Sequence, residues 1–206
     1  DLGEAIEKGI RNVYLEGEVI KVPIADGGEG TVESLVQGTN GEFVVIDVHN
    51  PLMKKIKATY GVMGDGTAVI EMAEASGLPL ITKEERDPMK TTTYGTGELI
   101  KDAIEKGCRN FIVGIGGSAT NDAGVGMLQA LGYNFLDENK GNIGKGGEVL
   151  SKIRYIDDKN KIKELDQCNL LIACDVDNPF YGERGAAEVY GRQKGATEEM
   201  VKLLDK

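Results

Sequence analysis

The sequence contains no tryptophan, aromatic residues make up only 5% of it, and 34 acidic residues against 24 basic ones give a formal net charge of −10. A surface that binds nucleic acid needs positive charge for the phosphates and aromatic side chains on which bases stack. We therefore expect no nucleic-acid partner. A negative protein can still bind a nucleotide, but it needs local cations, a metal ion or backbone N–H groups directed at the ligand.

Cysteines and long apolar runs are also scarce. The three cysteines, Cys108, Cys168 and Cys174, have no close metal-ligand spacing, and an odd number fits no complete set of disulfides. No apolar run approaches the roughly 18–20 residues that span a membrane, and no signal peptide is recognisable. We expect a cytoplasmic protein without membrane contact.

The pattern of the 206 residues is that of an α/β protein. LGEAIEKGI and GGEGTVESLVQG have helical spacing, with the strand-like run EVIKVPIA between them. Next come three β-like runs separated by turn signals: EFVVIDVHN, KKIKATYGVM and GTAVIEMA. They predict an antiparallel meander, which a purely parallel α/β sheet would not contain, so we expect a mixed sheet.

Helices and strands alternate in the second half of the chain. TGELIKDAIEKG predicts a helix that stops at Gly107, RNFIVGIGG a buried strand, DAGVGMLQALG a helix and NLLIACDV a second strongly apolar strand. The polar, glycine-rich stretch DENKGNIGKGGEVL predicts a mobile loop.

The stretch GIGGSATNDAGVG, residues 114–126, lies between a predicted strand and a predicted helix. Glycines let a phosphate approach the backbone, and N–H groups at a helix start attract it. The alternative is a simple turn in which Ser118 or Thr120 caps the helix. Four glycines and four polar residues in GIGGSATNDAG exceed what a cap requires, and Asp122 could reach a metal or a hydroxyl. The candidate phosphate or substrate contacts are Gly116, Gly117, Ser118, Ala119, Thr120, Asn121 and Asp122.

A second such stretch is PIADGGEGT, residues 23–31. Asp26 and Glu29 could hold Mg²⁺ or act as a base, or they could be acidic residues that favour the first turn of a helix. The candidates here are Asp26 as base or metal ligand, and Gly27, Gly28, Glu29 and Gly30 as substrate or phosphate contacts.

The third stretch is DVDNP, residues 175–179, after the second apolar strand. Asp175, Asp177 and Asn178 form an oxygen-rich set suited to Mg²⁺, although an Asx-Pro turn has the same composition. Ligands of open α/β sheets bind at the carboxyl ends of strands, so three polar strand ends in one chain favour a site.

The proton acceptor and the cation of such a site are restricted by composition. His49 is the only histidine and lies where a surface or structural role is expected, so a carboxylate is the expected base. Arg184, Arg192 and Lys194 follow the DVDNP stretch and could neutralise phosphate or a substrate carboxylate, or lie on a solvated helix face. Lys194 is the candidate for neutralising transferred charge.

Seven motifs resemble those of the bacterial type I glycerate kinases, in the same order and with similar spacing from about Val19 to Lys194. They are ADGGEGT, EMAEASGL, TTTYGTGELI, GGSATNDAG, MLQALG, DVDNP and QKGA. The resemblance implies Mg²⁺-assisted phosphorylation of D-glycerate by ATP, with Asp26 and Asp175 as base or metal ligand. Which hydroxyl receives the phosphate, and the oligomeric state, stay open.

The resemblance also implies a flavodoxin-like three-layer domain with a second α/β domain inserted, and an active site between the two. Residues 1–45 would belong to the first domain and residues 46–206 mainly to the second. Family members begin with a further strand and an APDSFKGS-like loop, and they continue into a TGEGxxDxQT-like motif. If the protein lacks these ends, we expect this polypeptide alone to be inactive; if they lie outside the sequence considered, we expect the family activity.

Two other functions fit the same residues. One is a kinase of the same fold that acts on a related hydroxy acid, which a substrate panel would distinguish. The other is a module that binds a nucleotide or an anionic metabolite without chemistry. A nicotinamide-dependent reductase is disfavoured because no GxGxxG follows the first strand.

Overall fold

The structure, a computed structural model, describes residues 2–20 and 30–206. Most of the predicted strand EVIKVPIA lies outside these ranges. The α-helices are α1 (Leu2–Val13), α2 (Thr31–Gly38), α3 (Ala73–Ser76), α4 (Tyr94–Glu105), α5 (Val125–Ala130), α6 (Ala186–Tyr190) and α7 (Glu198–Leu204). The strands are β1 (Glu42–His49), β2 (Lys55–Val62), β3 (Ala68–Glu71), β4 (Asn110–Gly114), β5 (Asn134–Leu136), β6 (Tyr155–Asp157) and β7 (Asn169–Ala173).

Five of the strands form one mixed sheet in the order β1-β2-β3-β4-β7. β1, β2 and β3 pair antiparallel, as the three β-like runs predict. β4 pairs parallel with β3 on one side and with β7 on the other. The α/β class and the mixed sheet are therefore confirmed. A second sheet contains only β5 and β6.

Helices cover both faces of the middle strands. Successive side chains of a strand point to opposite faces, so an apolar strand presents apolar side chains to the helices on each side. On one face, Ile70 of β3 and Phe111 of β4 pack in a buried cluster with Leu99 of α4. On the other face, Val69 of β3 packs with Val36 of α2. Strands β3 and β4 are therefore fixed from both sides, and their carboxyl ends are held in place.

α4 follows from its sequence. Leu99, Ile100, Ala103 and Ile104 lie three or four residues apart along one helix face and are all at most 2% exposed. The helix ends at Glu105, and Gly107 follows with a φ of +99°, the left-handed conformation that glycine adopts readily after a helix. The predicted stop at Gly107 is confirmed.

The stretch DENKGNIGKGGEVL, predicted to be a mobile loop, has a packed interior. Ile143 and Val149 are buried with Phe135 of β5 and Val125 of α5. The polar composition hides these two apolar anchors, which are six residues apart and follow no regular period. The stretch also contains the start of a 3₁₀ turn, Gly147–Lys152.

Among the described strands, β7 is the outermost on its side of the sheet, and it is the strand predicted from NLLIACDV. Its apolar side chains are exposed rather than buried: Leu170, Leu171 and Ile172 are 37%, 67% and 55% exposed. Within residues 2–20 and 30–206, no helix is long and apolar enough to cross a membrane. The division into two domains at residue 45 stays a prediction, and this residue lies inside β1.

Candidate functional site

The structure brings together two of the three polar stretches at the carboxyl edge of the sheet. β4 and β7 are parallel neighbours, with Gly114 opposite Ala173. The Ile115 N–H donates to the Ala173 carbonyl at 3.4 Å, so residues 114–126 and 175–179 start side by side. Of the third stretch, Asp26, Gly27, Gly28 and Glu29 lie outside the described residues, and Gly30 precedes α2 with a φ of +92°.

The first part of the loop after β4 is open to solvent. Gly116 and Gly117 are exposed and Ser118 is partly exposed. In the part of the chain that the structure describes, the N–H groups of these three residues donate to no backbone carbonyl. They therefore have the capacity for an anion that the sequence predicts for this loop.

The second part of the loop is buried. Ala119, Thr120 and Asp122 are at most 5% exposed, and the Ala119 N–H donates to the Ser76 carbonyl at 2.8 Å. The predicted contacts thus fall into an exposed group, residues 116–118 with the partly exposed Asn121, and a buried group that holds it. The helix α5 begins only at Val125, later than the DAGVG pattern indicates.

Asp122 is the centre of the buried group. Its Oδ2 accepts hydrogen bonds from the Thr93 N–H at 2.8 Å, the Thr93 hydroxyl at 3.0 Å, the Thr92 hydroxyl at 3.1 Å and the Gly126 N–H at 3.2 Å. Its Oδ1 accepts from the Gly124 N–H at 3.3 Å. The carboxylate joins the starts of α4 and α5, where a negative charge is favourable. These five donors make Asp122 a residue that holds the loop.

The three consecutive threonines of the TTTYG motif bind the same loop. Thr91 donates its hydroxyl to the Ala119 carbonyl at 2.8 Å, and the Thr93 hydroxyl accepts from the Met127 N–H at 2.9 Å. Thr91, Thr92 and Thr93 are at most 4% exposed. Reasoning from the sequence gave these residues no role. The sequence did contain a sign of this role. One threonine is enough to cap a helix, and three consecutive threonines precede α4.

Lys194 reaches the loop from a 3₁₀ turn near the end of the chain. Its Nζ donates to the Ser118 hydroxyl at 2.7 Å and to the Thr120 carbonyl at 2.6 Å. Burial lowers the pKa of the Lys194 ammonium to about 8, and the charge of Asp122 opposes this decrease. The structure thus places the predicted cation on the predicted phosphate loop, 74 to 76 residues away in the sequence.

The other two cations of the predicted basic cluster have carboxylate partners. Arg192 binds Glu198 at 2.7 Å and Glu188 at 3.4 Å, and Arg184 lies 3.8 Å from Asp177. These pairs are exposed and of the kind that contributes little to stability. Lys194 is the member of the cluster whose ammonium lies against the loop.

Asp175 and Asn178 have different environments. The Asn178 amide donates to the Arg184 carbonyl at 2.9 Å and accepts from the Tyr190 hydroxyl at 2.5 Å, so this side chain closes a turn. Asp175 is exposed and makes no hydrogen bond or ion pair within the described residues. Among those residues, no three His, Cys, Asp or Glu side chains are grouped to hold a metal ion.

The single histidine has the structural role expected of it. His49 Nδ1 lies 2.9 Å from Glu98 Oε1, and the His49 N–H donates to Glu98 Oε2 at 2.7 Å. The pair joins the end of β1 to α4. A carboxylate is therefore still the expected proton acceptor.

Comparison with known proteins places the chain in a family. A sequence profile of the glycerate kinase family matches residues 1–206. The chain is 53% identical to a glycerate kinase of Haemophilus influenzae and 51% identical to one of Bacillus subtilis. It is 49% identical to a protein of Escherichia coli named glycerate 2-kinase. Each alignment covers 100% of this chain and 54% of the relative.

A solved structure agrees with the sequence comparison. A crystal structure named for glycerate kinase 2 of Salmonella typhimurium LT2 is 48% identical, with a TM-score of 0.91, and the match covers 98% of this chain and 54% of that chain. The chain thus spans about half the length of the relatives it matches.

Proposed function

The chain belongs to the glycerate kinase family, and on that premise we propose that the protein transfers a phosphoryl group from ATP to a hydroxyl group of D-glycerate. The observation that carries the proposal is the loop at residues 116–122, which combines exposed N–H groups with the Lys194 ammonium. Phosphoryl transfer depends mostly on positioning and on stabilising charge, and this loop has groups for both.

Each candidate residue has a part in this proposal. The N–H groups of Gly116, Gly117 and Ser118 contact phosphate or substrate oxygens, and Lys194 neutralises charge beside Ser118. Asp122 acts by holding the loop. Asp175, exposed next to the loop, accepts the proton of the substrate hydroxyl or binds the metal ion, and Asp26 takes the other role.

Mg²⁺ is part of the proposal, and when bound it would neutralise charge on the phosphates. Asp175 fits such an ion as an exposed carboxylate at a strand end, although the described residues offer no complete set of protein ligands. Magnesium commonly keeps water and phosphate oxygens as ligands, so one or two carboxylates suffice.

The product and the location of the protein complete the proposal. The name of the Escherichia coli relative favours 2-phosphoglycerate over 3-phosphoglycerate. Identifying the product by NMR of the phosphorylated compound tests this choice.

A cytoplasmic location is supported by the three free cysteines, of which Cys108 is buried.

The first experiment measures ADP release from ATP and Mg²⁺ with and without D-glycerate. It compares this polypeptide with a form that has the length of the curated relatives. We expect glycerate-dependent ADP release from the longer form, because the chain spans about half of those relatives. If the longer form is folded but releases no ADP in response to D-glycerate, the proposal is overturned. A panel of other hydroxy acids would reveal a different substrate of the same class.

A further inference from the structure

Glu71, the last residue of β3, caps a helix that belongs to another part of the chain. The N-terminal neighbour of α2 is Gly30, which has no side chain with which to cap the helix. Glu71 supplies the missing acceptor: its Oε1 accepts the Val32 N–H at 2.8 Å, across 39 residues of sequence. The side chain is 7% exposed. A carboxylate at a helix start satisfies a free donor and interacts favourably with the helix dipole.

The segment that follows Glu71 binds the phosphate loop. The Leu78 N–H donates to the Gly117 carbonyl at 2.9 Å, and the Ser76 carbonyl accepts the Ala119 N–H at 2.8 Å. The Ser76 hydroxyl is also bonded to the Thr96 hydroxyl of α4 at 2.7 Å. Residues 71–78 are therefore hydrogen-bonded to the start of α2 at one end and to the loop at residues 117–119 at the other.

The length of this segment makes the two bonds interdependent. It contains the end of β3 and the four residues of α3, and Gly77 packs so closely that a Cβ there would lie 2.3 Å from the Ala73 carbonyl oxygen. Glu71, Ala75, Ser76 and Gly77 are buried, and the segment is hydrogen-bonded at both ends, so we expect a displacement at one end to be transmitted to the other.

We propose that Glu71 is a positioning residue for phosphoryl transfer, which fixes the entry of the chain into α2 relative to the loop at residues 117–119. In the sequence, the proposed site residues Asp26 and Glu29 lie immediately before this entry. The inference rests on the proposed kinase function. It assigns Glu71 a hydrogen-bonding role, in which the reach of its acceptor oxygen matters more than its charge.

The test compares two variants of the whole protein that separate reach from charge. Glu71→Gln keeps an acceptor oxygen at the same distance and removes the charge, so we expect kcat within about threefold of wild type. Glu71→Asp keeps the charge but withdraws the acceptor by one methylene group. We expect kcat to fall by ~10-fold or more, with a smaller change in KM for D-glycerate, because small misplacement of reacting groups is costly. Rates are corrected for the folded fraction measured by circular dichroism.

The opposite order would overturn the proposal. An active Glu71→Asp enzyme with an inactive, folded Glu71→Gln enzyme would show that the charge is needed, as for a base or a metal ligand. Two variants that both match wild type would show that the contact does not position the reaction.

Hydrogen exchange provides a readout that needs no substrate. In Glu71→Asp we expect faster exchange at the amide of Val32 and also at the amides of Leu78 and Ala119. Faster exchange at Val32 alone would make Glu71 a local cap and contradict the coupling. If all three amides respond while wild type shows no glycerate-dependent ADP release, the kinase proposal fails and the coupling between the two chain segments remains.

Glu74 offers a matched control on the same segment. It is exposed, and its Oε2 accepts the Thr59 N–H at 3.1 Å. Glu74→Gln and Glu74→Asp make the same chemical changes three residues away. We expect both to leave the exchange at the three amides and the turnover unchanged, so an equal response to them would also count against a specific role of Glu71.

Discussion

The loops after β4 and β7 begin side by side and are built in opposite ways. After β4, Asp122 is 2% exposed and accepts five hydrogen bonds, and Lys194 is bonded to two loop residues. After β7, Asp175 is exposed and Phe180 and Tyr181 are 73% and 71% exposed. The loop after β4 is held by its own hydrogen bonds, whereas the carboxylate of Asp175 after β7 has no partner among the described residues.

The comparison separates residues that hold a site from residues that can react in it. A carboxylate that already accepts five hydrogen bonds has no acceptor site left for a ligand. An exposed carboxylate without such bonds is available to a substrate hydroxyl or a metal ion. We therefore expect the loss of Asp122 to lower stability, and the loss of Asp175 to lower turnover with little effect on stability.

The largest expected effect comes from Asp122→Ala. The substitution leaves up to five donors at the starts of α4 and α5 without their acceptor. The free energy of unfolding should fall by about 3 kcal/mol or more, since each unsatisfied buried group costs about 1–3 kcal/mol. Urea denaturation followed by circular dichroism measures it. Asp175→Ala is the control and should change stability by less than about 0.5 kcal/mol. Equal losses in the two variants would contradict the division between the loops.

Asp175→Asn should show the reverse pattern. If Asp175 is the base or a metal ligand, turnover of the whole protein falls by ~10²-fold or more, the scale of a lost acid–base group. The unfolding midpoint should stay at the wild-type value, because the side chain has no partner within the described residues. Near-normal turnover would remove Asp175 from the catalytic set and leave Asp26 as the candidate carboxylate.

The sequence predicts most of this architecture because local patterns carry it. The alternation of EFVVIDVHN and KKIKATYGVM is enough to predict two paired strands, and the spacing of Leu99, Ile100 and Ala103 predicts the buried face of α4. Residues 116–118 and Lys194 are recognisable as polar or glycine-rich positions at element ends. Their meeting across the fold is not local information, and only the structure brings them together.

The roles of Glu71, Thr91 and Asp122 show what local patterns miss. Each side chain makes at least one hydrogen bond to an element distant in sequence, and the spacing between such partners has no period. The exposure of Leu170 and Leu171 was missed for the opposite reason. Their strand is as apolar as a buried one, and the sequence alone does not say that β7 is the outermost of the described strands.

Lys194 gives the loop after β4 a dependence on pH. Its pKa of about 8 in the folded protein lies below the ordinary value of 10.5. If the ammonium neutralises transferred charge, kcat falls about tenfold between pH 7 and 9 as the ammonium loses its proton. Stability should change in the opposite sense: between pH 8 and 10.5 the unfolded chain binds more protons at this residue than the folded one, so its contribution rises with pH.

Lys194→Met isolates both effects. The difference in the free energy of unfolding between wild type and the variant should shift in favour of wild type from pH 8 to 10.5, as followed by urea denaturation. Wild-type activity that stays flat from pH 7 to 9 would contradict a catalytic ammonium while leaving the structural contact intact.

The smallest expected effect tests the hydrogen bonding of the framework one bond at a time. Thr91→Val removes the hydroxyl that donates to the Ala119 carbonyl and preserves the volume of a side chain that is 0% exposed. The free energy of unfolding should fall by about 1 kcal/mol, the usual contribution of one buried hydrogen bond. Val176→Thr, the reverse exchange at a 48% exposed position in the second loop, should change it by less than about 0.5 kcal/mol. If thermal and urea unfolding give the two variants the same stability, the hydrogen bond from Thr91 to the Ala119 carbonyl does not help to hold the loop after β4.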